Sequence, residues 1–230
     1  MPQLIAMIIV VVGAMIYMFQ TFGGTGDKIE GIAQKTSVIT EIMNIKNGLK
    51  LAARSGNIGD AVEDDKTNAL YGLATLAYFP EQINDQIRYT RDTTTLRGTN
   101  SYNSYYAISF GGEDSTPGNS AMLISLVAVK PKMIPGIYVE FQAGGSLNAN
   151  GGFLESQIAN DLKDIAYIDR AAVKVPESVT LRTGGTSLDK RLPVETTTTP
   201  AQLSDGKFVI YFYDFGANEV VVDTTAPTTP

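Results

Sequence analysis

Leu4-Ile5-Ala6-Met7-Ile8-Ile9-Val10-Val11-Val12-Gly13-Ala14-Met15-Ile16-Tyr17-Met18-Phe19-Gln20-Thr21-Phe22 runs uncharged into Gly23-Gly24-Thr25-Gly26, and the first charged residue of the chain is Asp27. As a helix, Leu4 to Phe22 would be about 28 Å long at ~1.5 Å per residue, close to the ~30 Å hydrocarbon thickness of a bilayer. A cleaved secretory signal carries a basic leading region and a small-residue cleavage site. Here no Lys or Arg precedes Lys28, and no Ala-x-Ala follows Phe22. The apolar rod is therefore expected to be kept, and the sequence to be that of the processed chain.

The rod leads into a second helical pattern. From Asp27 to Ala53, Ile29, Ile32, Ile39, Ile42, Ile45, Leu49 and Ala52 recur at steps of three, four or seven, with Glu30, Lys35, Glu41 and Lys50 between them. Gly56 supplies the stop, and Lys50 and Arg54 sit where the helix dipole is negative. Gly31 and Gly48 each cost such a helix ~1 kcal/mol relative to Ala, which marks them as points of close backbone approach or flexibility.

Composition narrows the function. The 230 residues suffice for one stalk and one globular domain, 18% of them are charged, and the net charge is -6. Without a Lys/Arg cluster, that balance argues against direct nucleic-acid binding. Histidine and cysteine are both absent. Their absence removes Ser-His-Asp and Cys-His nucleophiles, His/Cys zinc sites and CxxC redox chemistry. An extracytoplasmic domain without disulfides depends on its core, or on neighbouring subunits.

Along the rest of the chain, the acidic residues Asp60, Glu63, Asp64 and Asp65 precede a helix predicted over Thr67 to Phe79 and read as its solvated approach. Strands are predicted at Tyr105 to Phe110 and Ile137 to Phe141, with a helix at Asn119 to Val129 between them. Another helix is predicted over Gly152 to Ile165, followed by strands at Ala172–Val175, Ser178–Arg182, Lys207–Tyr213 and Glu219–Val222. Leu192 to Gly206, with Thr196-Thr197-Thr198-Thr199-Pro200, reads as a polar loop, and Thr224 to Pro230 as a disordered tail. The expected division is residues 1–26, rod and Gly-rich break; 27–56, amphipathic half of the stalk helix; 57–223, head; and 224–230, tail. The fold class is α+β, a long N-terminal helix packed on a C-terminal head with a mainly antiparallel sheet.

No motif for chemistry emerges. Gly111-Gly112, Gly144-Gly145, Gly151-Gly152 and Gly184-Gly185 fit no phosphate-binding pattern and read as turns. The break at Gly23 to Gly26 differs in context, since it lets the backbone between two helical stretches extend. Paired carboxylates, Asp161 with Asp164 or Glu113 with Asp114, are the remaining catalytic possibility, but nothing sets either pair across a cleft. Tyr102, Tyr105, Tyr106 and Tyr138 are able to stack on sugars, although strand tyrosines more often pack a sheet face. No catalytic, metal or cofactor site is expected, and the chain is not read as an enzyme.

An apolar N-terminal helix continued as an amphipathic one and followed by an α+β head resembles the type IV pilins. The fuller likeness is to the type IVb branch, which includes the toxin-coregulated pilin. It rests on Met1 with Ile8-Ile9-Val10-Val11-Val12-Gly13, on Ala69-Leu70-Tyr71-Gly72-Leu73-Ala74-Thr75-Leu76, on Ala107-Ile108-Ser109-Phe110, and on Tyr138-Val139-Glu140-Phe141-Gln142-Ala143-Gly144-Gly145. The chain departs from that family in having Ile5 where a glutamate is usual, and in lacking a cysteine pair. Burial favours a neutral terminal amine, and backbone carbonyls are able to accept its protons.

The resemblance implies a major structural subunit that polymerises into a pilus serving adhesion, motility or mating contact. It implies residence in the inner (cytoplasmic) membrane before assembly and in a cell-surface filament afterwards. The implied partners are further copies of the chain and an inner-membrane assembly machinery with a prepilin peptidase and an ATPase. The filament-core residues are then Leu4, Ile5, Met7, Ile8, Ile9, Val10, Val11, Val12, Met15, Ile16, Phe19 and Phe22. The helix break is Gly23, Gly24 and Gly26, and the stalk packs on the head through Ile29, Ile32, Ile39, Ile42, Ile45 and Leu49. A span uncharged all round exchanges lipid for equally apolar sister spans at little hydrophobic cost. The alternatives are a signal-anchored extracytoplasmic binding or sensor domain, a membrane-tethered carbohydrate hydrolase, and a minor pilin or secretion pseudopilin.

Overall fold

The computed structural model describes residues 31–59, 69–92, 101–112, 118–194 and 203–224. Leu4 to Phe22, Gly23 to Gly26, Ile29, Asp60 to Asp65, Glu113-Asp114, Thr196 to Pro200 and residues 225–230 lie outside them. The chain forms two compact units, residues 1–38 and 39–230. The architecture that follows is that of the second.

Helix α1 covers residues 31–54 and enters this unit at Ile39. After it come α2 (Leu70–Thr75), α3 (Glu81–Asp92), β1 (Tyr105–Ala107), β2 (Met122–Val127), β3 (Gly136–Phe141), α4 (Gly151–Leu162), β4 (Ala166–Asp169) and β5 (Lys207–Phe212). The fold is α+β. Its five strands form one sheet in the order β1-β2-β3-β5-β4, every neighbouring pair antiparallel. Among the described residues no helix is long and apolar enough to cross a membrane.

Because side chains alternate across a strand, the register sorts them into two faces. Tyr105, Ile124, Val139 and Phe208 stand in one row, and Leu126, Ile137, Ile210 and Ile168 in another, forming the inner face. Tyr106, Leu123, Glu140 and Lys207 share an outer row, as do Ser125, Tyr138, Val209 and Asp169. Helix α1 reaches the inner face at Tyr105 of the edge strand β1 through Glu41 and at Phe212 of β5 through Lys46. Segment 171–180 lies over the outer face, with the Val173 carbonyl 3.2 Å from the Tyr138 hydroxyl.

Several local expectations are corrected. The helix expected at Asn119 to Val129 is strand β2, paired on both sides. Met, Leu and Ala favour helix, and a strand buried on both faces shows no alternation to reveal it. The helix expected from Thr67 to Phe79 is confined to Leu70–Thr75, and Ala77 turns the chain at φ +57. Helix α3 follows at once, its first turn accepted by the Pro80 carbonyl and Ile83 and Ile87 buried one turn apart. Strand β1 stops at Ala107, since an edge strand has one neighbour to hold it. Of the later strands, Lys207–Phe212 forms, and β4 stands where none was expected. Ala172–Val175, Ser178–Arg182 and Glu219–Val222 stay outside the sheet, with isolated bridges from Leu181 to Pro193 and from Gly59 to Val222.

Candidate functional site: the seat of the helix on the sheet

Ile42, Ile45, Leu49 and Ala52, at steps of three and four, are fully buried, and Ala53 beside them is 1% exposed. Ile39 is half-buried, whereas Ile32 is 58% exposed. The stripe predicted to pack on the head is thus buried at its last three positions. At Gly48 a Cβ would lie 2.4 Å from Phe79 Cδ1 and 2.6 Å from the Tyr78 carbonyl oxygen. The chain leaving α2 crosses α1 at that point, so Gly48 marks a close approach and not a flexible joint.

The polar edge of the same helix carries Lys46, Lys50 and Arg54 at four-residue spacing, which stacks them along one side. All three meet the loop that follows β5. Lys46 Nζ lies 2.7 Å from Asp214 Oδ2 and 4.9 Å from the centre of the Phe212 ring. Lys50 donates to the Asp214 carbonyl at 2.6 Å and lies 3.2 Å from Oδ2. Arg54 directs Nε and Nη2 at Glu219 Oε1, at 3.0 and 2.6 Å. The other Glu219 oxygen accepts the Gly216 amide at 2.6 Å. Arg191 fastens the loop from its far side through the Phe215 and Gly216 carbonyls.

Burial by itself would raise the Asp214 and Glu219 carboxyls. Hydrogen bonds from Lys46 and Lys50 to the first, and from Gly216 and Arg54 to the second, outweigh it and hold both below the usual range. Lys46 is 5% exposed, and its ammonium stays tolerable because a carboxylate and a ring face meet it. At the other end of the seat Tyr105, fully buried, hydrogen-bonds to Glu41. Burial, with the Glu41 charge, pushes the Tyr105 phenol up, so it remains a donor.

Two further polar anchors hold the frame. Glu155 on α4 is fully buried, accepting from Arg170 Nε at 2.6 Å and the Gly206 amide at 2.9 Å, while Arg170 also donates to the Leu203 carbonyl. Burial raises the Glu155 carboxyl against the pull of those two donors. Asn103 accepts from the Leu126 and Leu70 amides and donates to the Leu126 carbonyl at 2.8 Å, tying α2 to β2.

Of the residues weighed for chemistry, Asp161 and Asp164 are both exposed at the end of α4. Tyr105 and Tyr138 are buried, and Tyr102 packs edge-on to Tyr71 at 5.8 Å. No group of three or more Asp or Glu side chains fit to hold a metal occurs among the described residues. The basic ladder was visible as a spacing in the sequence, but its partners lie about 165 positions away in a loop. No protein-family model, no curated protein and no solved structure matches this chain.

Proposed function

We propose that the chain is a structural subunit that polymerises through its N-terminal helix into a type IV-like pilus. It would wait in the inner membrane and end in a filament on the cell surface, brought there by a peptidase- and ATPase-driven assembly machinery. The observation that supports this is the continuity of an uncharged stretch ending at Gly26 with a helix whose last turns are fastened to an antiparallel sheet. A subunit that transmits tension along a fibre needs its apolar leader joined to a head that the pull does not strip off. The salt links of Lys46, Lys50 and Arg54 and the buried Ile42-Ile45-Leu49 stripe supply that attachment.

Negative-stain microscopy of material sheared from cells expressing the chain tests the proposal. Thin fibres that contain the chain are expected. Full-length protein that stays as single membrane-bound particles would refute it, and would favour the anchored binding domain.

A further inference from the structure

Segment 171–180 crosses the outer face of the sheet with a cavity on either side of it, of about 540 and 500 Å³. Val173, Lys174 and Pro176 line both, so the segment forms the partition between them. Its sequence favours strand on both sides of Pro176, but the proline has no amide to give a ladder, and the segment stays outside the sheet.

Between 172 and 179 no residue is buried, and among the described residues none of them takes part in a backbone-to-backbone hydrogen bond. The ion pair of Lys174 with Glu177, at 2.7 Å, lies within the segment and travels with it. Both ends are fixed. The Ala171 amide donates to Asp169 Oδ1 at 2.9 Å, the Val194 amide to the Thr180 carbonyl at 2.7 Å, and the Arg182 amide to the Leu192 carbonyl at 3.2 Å. A stretch with an exposed backbone and no buried side chain belongs to the low-stability end of a fold. In its middle, one hydrogen bond among the described residues reaches the sheet, from the Tyr138 hydroxyl to the Val173 carbonyl at 3.2 Å. That hydroxyl also lies 2.9 Å from Glu140 Oε2, and a phenol has a single proton. Glu140 keeps the proton when Val173 leaves, so lifting the segment strands no buried donor.

We propose that residues 172–179 form a strap that lifts from the sheet as a unit, hinged at Ala171 and Thr180 and latched by Tyr138, and that its opening merges the two cavities into one cleft. The strap uncovers the outer row of the sheet. Tyr138 there is 1% exposed and Val209 fully buried. Val209 stands between Tyr138 and Asp169 in that row yet lines neither cavity, which puts it beneath the strap. The device lies wholly in the head and does not depend on the fibre reading.

The chain has no cysteine, so one introduced thiol reports on one face. Val209→Cys probes the outer face and Val139→Cys the inner, each a near-isosteric change at a fully buried valine of a central strand. The test is maleimide labelling of the two full-length variants in mild detergent, read by intact mass across urea concentrations below the unfolding transition. Val139→Cys, reached through global unfolding, is expected to label at a rate that climbs with urea. Val209→Cys is expected to label about a hundredfold faster without urea, at a rate nearly flat in urea, as a local opening requires. Adding Tyr138→Phe to Val209→Cys is expected to speed its labelling about threefold or more by removing the latch. The same rate and urea dependence at the two thiols, or a rate that Tyr138→Phe leaves unchanged, would overturn the proposal.

Discussion

Asp214 and Lys46 are unequal partners. Lys46 is buried, whereas the Asp214 side chain is 45% exposed, so removing the acid strands a buried cation and removing the cation returns a carboxylate to water. Asp214→Ala is expected to lower stability by about 2–3 kcal/mol, at or below the ~3–5 kcal/mol of a fully enclosed pair. Lys46→Met, which keeps the packing on Phe212 and leaves Lys50 with Asp214, should cost less than about 1 kcal/mol. Urea unfolding midpoints of the two variants give the comparison, and the reverse order would show that the ammonium itself carries the link. The same carboxyls set the response to acid. Asp214 and Glu219 are held below the ordinary values of ~3.9 and ~4.3, so their contribution is present above that range and lost as pH falls through their lower folded values. Glu155, raised by burial, works in the opposite sense. Stability should therefore decline below about pH 4, and Asp214→Asn with Glu219→Gln should flatten the decline in urea midpoints measured against pH.

Among the elements, α1 and β2 show where pattern succeeds and where it fails. The apolar period of α1 was legible because one face meets the sheet and the other carries Lys35, Thr40 and Asn47. Strand β2 is buried on both faces, so Met122 to Val127 reads as an apolar run interrupted only by Ser125, which suits helix equally well. Strand β4 was missed for a different reason: Ala166-Tyr167-Ile168-Asp169 is four residues long, too short to show a period. Helix α3 had a signal in Pro80, Glu81 and the Ile83/Ile87 pair, but it follows α2 within a few residues and the two merge in sequence. The crossing of α1 by the chain after α2 yields a prediction of its own. Gly48→Ala gains ~1 kcal/mol of helix propensity, but its methyl would lie 2.6 Å from a backbone oxygen that has little room to shift. A net destabilisation of about 1–3 kcal/mol is expected in thermal or urea unfolding, and a more stable variant would show that the crossing opens readily.

The proposed assembly belongs to the largest scale, where that reading gives the apolar leader and the folded head separate tasks. A carboxylate in the middle of an apolar span costs about 2.5–3.5 kcal/mol on insertion scales. Ile9→Asp is expected to abolish fibres in negative-stain micrographs while the head retains its far-ultraviolet circular dichroism and urea midpoint. Normal fibres in that variant would remove Leu4 to Phe22 from the proposed filament core. The sequence established the α+β class, the amphipathic register of α1 and the exclusion of His- and Cys-based chemistry, because composition and short-range periodicity are local properties. Folding alone decided that β5 lies between β3 and β4 and that Asp214 and Glu219 close on α1. Each of those joins residues far apart in the chain. Such pairings are selected by the packing of two sheet faces and leave no periodic mark on the segments they bring together.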